Sequence, residues 1–176
     1  MHETILTTEK IYSGRVINLA VHDVQLPDGT KAKRELVQHP GAVAIVALAP
    51  RRKVLLVRQF RIAAGKVLSE IPAGTLKPNE PPEACAIREL QEETGYKPGK
   101  LESLGGFYVA PGYTTEYIHL YLATGLIESR LDGDADEFIE VEQVPLRKAL
   151  AMIERGDIVD GKSITGLLRV ARRLES

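Results

Sequence analysis

The stretch from Gly74 to Tyr96, GTLKPNEPPEACAIRELQEETGY, constrains this 176-residue chain more than any other. Pro81 and Pro82 suit the first turn of a helix, where a missing N–H costs no hydrogen bond. Asn79 stands just ahead of them as the expected N-cap, and Gly95 is placed to end the helix in a left-handed conformation. These signals predict a loop over 74–79 and a helix over 81–94. At about 100° per residue, Glu89, Glu92 and Glu93 fall on one narrow arc with Cys85 on the same side. Ala84, Ile87 and Thr94 point the opposite way, with Leu90 on the flank, so that apolar side is expected to pack on the core. Carboxylates spaced three and four residues apart repel one another and weaken an isolated helix. A divalent cation would remove that penalty, and all-oxygen ligation suits Mg²⁺ or Mn²⁺. A solvated acidic face is the plain alternative.

The full spacing separates those readings. Gly74, then Glu80, then Arg88-Glu89-Leu90, Glu92-Glu93 and Gly95, followed by the bulky Tyr96, resembles the Nudix box. Tyr96 is the loosest match. The resemblance implies a Nudix hydrolase with an α/β/α sandwich fold. It implies that Glu89 and Glu93 are metal ligands and that Glu92 is a ligand or a water-positioning group. The backbone carbonyl of Ala73 would join them, and Arg88 would orient a carboxylate by ion pairing.

The elements around the box agree with an α+β chain. Residues 4–38 read as β-rich, with Leu26-Pro27-Asp28-Gly29 as a turn between strands. This N-terminal β-element, 1–40, has too few large apolar residues to form a core alone and is expected to dock on a second subunit. The remainder, 41–176, is expected to form the Nudix domain. Ala42 to Ala49 is a continuous apolar run, as in a strand buried on both faces. Val54 to Phe60 pairs back on it as a hairpin, and Val67 to Ile71 leads into Pro72-Ala73-Gly74. After the acidic helix come strands over 101–109, 117–124 and 137–144, then helices from Pro145 and from Ser163. The order predicts a mixed β-sheet flanked by helices.

Net charge is −1 with no basic run, which argues against nucleic acid and anionic membranes as partners. The longest apolar stretch, 42–50, is far short of a membrane span. The N-terminus lacks a signal pattern, so a cytoplasmic enzyme is expected. Cys85, the one cysteine, excludes an internal disulfide.

Further segments resemble the ADP-ribose pyrophosphatase subgroup of the family: Lys33-Arg34-Glu35, His39-Pro40-Gly41-Ala42-Val43, Gln59-Phe60-Arg61 and Ala110-Pro111-Gly112 with Glu116. The proline at 111 lies at an offset from the box that also resembles this subgroup. By that resemblance Arg34 and Glu35 would contact the adenine end, across a homodimer, or else form a plain strand ion pair. Arg61 would meet phosphate or the terminal ribose, where a guanidinium fork suits oxyanions. Glu116 would bind ribose hydroxyls, while Thr75 and Ala110 would line the pocket by backbone. The acid-rich loop carrying Asp132, Asp134, Asp136 and Glu137 would contribute Glu137 to the metal. The residue two before it is Ala135, so the general base is open among Asp136, Asp134 and Glu92. The implied reaction is hydrolysis of ADP-ribose to AMP and ribose 5-phosphate, using two or three Mg²⁺ ions or Mn²⁺ as a substitute. The alternatives are another nucleoside diphosphate sugar such as GDP-mannose, a dinucleotide, or a Nudix-fold protein that binds nucleotide without hydrolysis.

Overall fold

Alternation along one apolar strand organises the main layer of the computed structural model, which describes residues 1–133 and 138–175. The chain falls into two compact units, 1–41 with 108–117, and 42–107 with 118–176. The first unit is built on strands β1 (Thr4–Ser13), β2 (Asn18–Gln25) and β3 (Lys31–Gln38), an antiparallel sheet in that order. Gly29, in the left-handed region at φ 86°, closes the β2–β3 turn by donating its N–H to the Leu26 carbonyl at 2.9 Å. The loop over 108–117 belongs to this unit through a parallel bridge between Val37 and Thr114. Every residue of β1 is exposed, Ile5, Leu6, Ile11 and Tyr12 included.

The second unit contains β4 (Ala42–Ala49), β5 (Lys53–Arg61), β6 (Lys66–Glu70) and β7 (Ala73–Thr75), then helix α1 (Pro82–Thr94) and β8 (Tyr96–Lys97). Strands β9 (Lys100–Tyr108), β10 (Tyr117–Thr124), β11 (Ile127–Glu128) and β12 (Glu140–Pro145) follow, then α2 (Leu146–Arg155) and α3 (Gly161–Glu175). The main sheet runs β12-β5-β4-β10-β9, with β6 on β5 and β7 on β4. Strand β10 is parallel to β4, while β5 and β7 run antiparallel to it, so the sheet is mixed. The hairpin of β4 and β5 is paired only at Leu48–Val54 and Ala49–Lys53; β5 otherwise pairs with β12 and β6.

Residues 43 to 47 of β4 are fully buried, and their two faces serve different helices. Val43, Ile45 and Ala47 pack with Cys85, Ala86 and Leu90 of α1. Ala44 and Val46 pack with Leu146 and Ala149 of α2 and Leu167 and Val170 of α3. The result is the α/β/α layering expected from the sequence. Gly166 is required by that packing, since a Cβ there would crowd Ile71 and Val46 at 2.9 Å. Among the described residues no helix is long and apolar enough to cross a membrane.

Two details of α1 differ from expectation. Its N-cap is Pro81, with no side-chain cap, and Asn79 instead takes a left-handed backbone at φ 61°. Gly95 ends the helix as expected, at φ 78°, donating its N–H to the Gln91 carbonyl. The larger difference is the helix face. The buried residues are Cys85, Ala86, Leu90 and Glu93, whereas Ala84 and Ile87 are exposed. The acidic side therefore turns inward, because Glu93 finds a backbone partner on the loop before the box.

Candidate active site

That partner is Ala73. Its N–H donates to Glu93 Oε2 at 3.1 Å, and Glu93 is 9% exposed. Strand β7 fixes the loop against the core by pairing Ala73 with Ala44 and Gly74 with Val43. Gly74 is indispensable at this point for a steric reason. A Cβ built on it would coincide with the Glu89 carboxylate, so a glycine here lets that acid lie against the backbone. Thr75 closes the strand, and its carbonyl accepts the Cys85 thiol at 3.6 Å.

Arg88 is the hub of the acidic face. Its Nε and Nη2 bind the two Glu80 oxygens at 2.8 Å each. Its Nη1 reaches Glu89 Oε1 at 2.6 Å and Glu92 Oε2 at 2.8 Å. This fork–fork pairing holds the Glu80 carboxyl down to about 2 and keeps Arg88 firmly protonated. Glu80 also caps the loop by accepting the Lys77 N–H at 3.0 Å. One guanidinium thus binds three half-buried carboxylates, Glu80, Glu89 and Glu92, while the buried Glu93 is held by the Ala73 N–H. Among the described residues these acids form no group of three or more that could hold a cation, with Arg88 and Ala73 binding their oxygens. Burial pushes the Cys85 thiol up to about 12, which leaves it a packing residue and not a nucleophile.

Arg61 lies at the end of β5 and is not free. Its Nε and Nη2 bind Glu70 at 3.0 and 2.8 Å. Glu70 is 1% exposed and also accepts Lys162 Nζ at 2.6 Å. Burial raises the Glu70 carboxyl, but Arg61 and Lys162 more than offset it and hold the group below its ordinary value. Sequence reasoning missed this pair. The available signal was a single acid closing the otherwise apolar run Val67-Leu68-Ser69-Glu70-Ile71.

Arg34, Glu35, Ala110 and Glu116 belong to the first unit. Arg34 pairs with Glu3 at 3.0 and 2.7 Å and not with Glu35, which is exposed. The alternative of an Arg34–Glu35 strand pair is therefore replaced by a pairing to Glu3, the residue just before β1. The Ala110 carbonyl accepts the N–H groups of Tyr113 and Thr114 at 3.1 Å, and Glu116 donates its N–H to Thr114 Oγ1 at 3.1 Å. Asp134, Ala135, Asp136 and Glu137 lie outside the described residues. Strand β12 begins at Glu140.

Comparison with known proteins gives the family. The NUDIX domain model matches residues 38–165, and the chain belongs to the Nudix family. It is 44% identical over 165 residues to an ADP-ribose pyrophosphatase of Bacillus subtilis (strain 168), covering 93% of this chain and 89% of the relative. It is also 44% identical over 164 residues to a methanol dehydrogenase activator of Bacillus methanolicus, covering 92% and 89%. A crystal structure of an ADP compounds hydrolase superposes with a TM-score of 0.88 at 23% identity, over 99% of this chain and 95% of that one, and shows the shared fold.

Proposed function

We propose that this protein hydrolyses the diphosphate bridge of ADP-ribose to AMP and ribose 5-phosphate with Mg²⁺. The observation that carries the reading is the inward acidic face of α1, where Arg88 binds Glu80, Glu89 and Glu92, Ala73 holds Glu93, and Gly74 leaves room for Glu89. The similarity to an ADP-ribose pyrophosphatase over most of the chain supports the substrate.

The donor chemistry fits a hard divalent cation. Every candidate ligand is an oxygen, and the cluster carries more acid than Arg88 balances. Glu89, Glu93, Glu92 and the Ala73 carbonyl would hold the metal, with Glu137 added from the loop. Bound there, two or three ions, Mg²⁺ or Mn²⁺, would neutralise diphosphate charge and acidify a water. The chain's own contribution is positional. Arg88 keeps Glu89 and Glu92 on one side of the helix, and Ala73 fixes Glu93. Water adds to one phosphorus, the bridging P–O bond breaks, and the proton leaves through a carboxylate. Glu92, Asp136 and Asp134 are the acids proposed for that role. Arg61 supplies a cation to the diphosphate, and Thr75 lines the pocket; Ala110 is a further proposed substrate contact. Arg34 and Glu35 meet the adenine end, and Glu116 the ribose. The exposed β1 is covered by a second copy of the chain, which light scattering would report as a dimer; a monomer at working concentrations contradicts it.

A substrate panel with Mg²⁺ tests the reading. ADP-ribose, GDP-mannose and dinucleotides are compared by chromatography of the products. AMP and ribose 5-phosphate released faster from ADP-ribose than mononucleotide from the others is the expected result. Turnover of GDP-mannose far above ADP-ribose moves the assignment to another nucleoside diphosphate sugar. Binding without turnover of any of them makes the protein a nucleotide binder.

A further inference from the structure

We propose that Glu70 is a positioning residue for the reaction: it clamps one edge of Arg61 so that the opposite edge is presented to the substrate diphosphate. The inference rests on reading the site as a diphosphate hydrolase.

A carboxylate at 1% exposure must be paired or protonated, because desolvation of an unpaired charge is prohibitive. Glu70 is paired twice over, to Arg61 through a two-bond fork and to Lys162 at 2.6 Å. The fork uses Nε and Nη2 of Arg61. A guanidinium has a second edge, and Nη1 donates to no group among the described residues. The Arg61 side chain is 38% exposed, so the guanidinium is not sealed in as Glu70 is. After Glu70 and burial, the acids acting on Arg61 include Glu93, the buried carboxylate of the box helix. Arg61 therefore lies within electrostatic reach of the box helix.

Lys162 keeps the clamp ionised. It shares the Glu70 carboxylate with Arg61, so the buried acid is held charged and its fork on Arg61 stays in place. Asp160 closes the row by binding Lys162 at 3.1 Å. Asp160 also accepts the Ser163 N–H at 2.9 Å, and Ser163 Oγ in turn accepts the N–H of Ile71 at 2.8 Å. The clamp is thus tied to the start of α3 and to the backbone next to Glu70. That rigidity is what preorganisation of a phosphate-binding guanidinium requires.

The test is a double-mutant cycle on the full chain, with ADP-ribose and saturating Mg²⁺. Glu70→Gln, Arg61→Gln and the double variant are compared with the wild type by kcat/KM, and folding is checked by thermal melting. Each single change should lower kcat/KM by about tenfold or more. The double variant should fall within about twofold of Arg61→Gln, because Glu70 has nothing left to position. Losses that multiply, or a Glu70→Gln variant near wild-type activity, overturn the proposal. A merely structural Glu70 would impair both backgrounds equally. Should Glu70→Gln fail to fold, Glu70→Asp keeps the charge, draws the fork back, and carries the same cycle with the same readings. Absence of wild-type turnover would defeat the reading of the site itself, whereas turnover with multiplicative losses defeats this inference alone.

Discussion

Two ion clusters stand in one unit of this protein and are built on opposite principles. Around Arg88, one cation faces Glu80, Glu89 and Glu92, on side chains that retain some contact with solvent, with the buried Glu93 next to them on α1. Around Glu70, Arg61 and Lys162 balance Glu70 and Asp160, and the central carboxylate is sealed from water. The balanced cluster can be buried because each charge has an opposite neighbour in place. The unbalanced one remains short of positive charge, which is the condition under which a site recruits cations. Disturbing the acidic cluster should therefore cost activity with little stability, whereas disturbing the balanced one should cost stability as well as activity.

The largest effect expected is Glu93→Gln, which should lower turnover by about a thousandfold or more while the melting temperature stays close to wild type. Steady-state hydrolysis beside calorimetry measures both, and near-normal activity would remove Glu93 from the metal set. Gly74→Ala comes next. The new Cβ displaces the Glu89 carboxylate, a flexible end, so activity should fall about a hundredfold with little loss of stability. Lys162→Met should add a loss of stability that the first two changes lack. Leaving Glu70 with Arg61 alone should cost about 1–3 kcal/mol in urea unfolding. Equal stability to wild type would mean that the buried cluster is not what holds the start of α3.

The smallest effect concerns pH. The Glu80 carboxyl sits at about 2 in the folded chain because Arg88 binds its ionised form, below the ordinary value of 4.5. Its stabilisation is thus present above pH 4.5 and is lost as pH falls towards 2. Unfolding followed over that window should show a shallower acid decline in Glu80→Gln than in wild type. Parallel curves would show that the Arg88 fork does not favour the folded state.

Much of this fold is legible in the residues, and the reasons are local. The run Ala42–Ala49 marks a doubly buried strand because both its faces are apolar. Gly95 marks a helix end because its backbone has to turn left-handed, as it does at φ 78°. The box spacing placed Glu89, Glu92 and Glu93 on one side of α1. What periodicity could not supply was which side faces inward. Ala84 and Ile87 look like core residues but are exposed, since Glu93 is drawn inward by the Ala73 N–H, a partner 20 positions away. Asn79 fits a cap by composition, yet Pro81 occupies that place. Glu70 and Lys162 lie 92 residues apart in the chain, so no local pattern announces their pairing.

The central claim is that the inward acidic face of α1 binds divalent cations at Glu89 and Glu93. Anomalous diffraction from crystals holding Mn²⁺ and a non-hydrolysable ADP-ribose analogue tests it most directly. The account predicts Mn²⁺ at bonding distance from both carboxylates, with the diphosphate against it. Ions bound elsewhere, with Glu89 and Glu93 still held by Arg88 and Ala73, would contradict it.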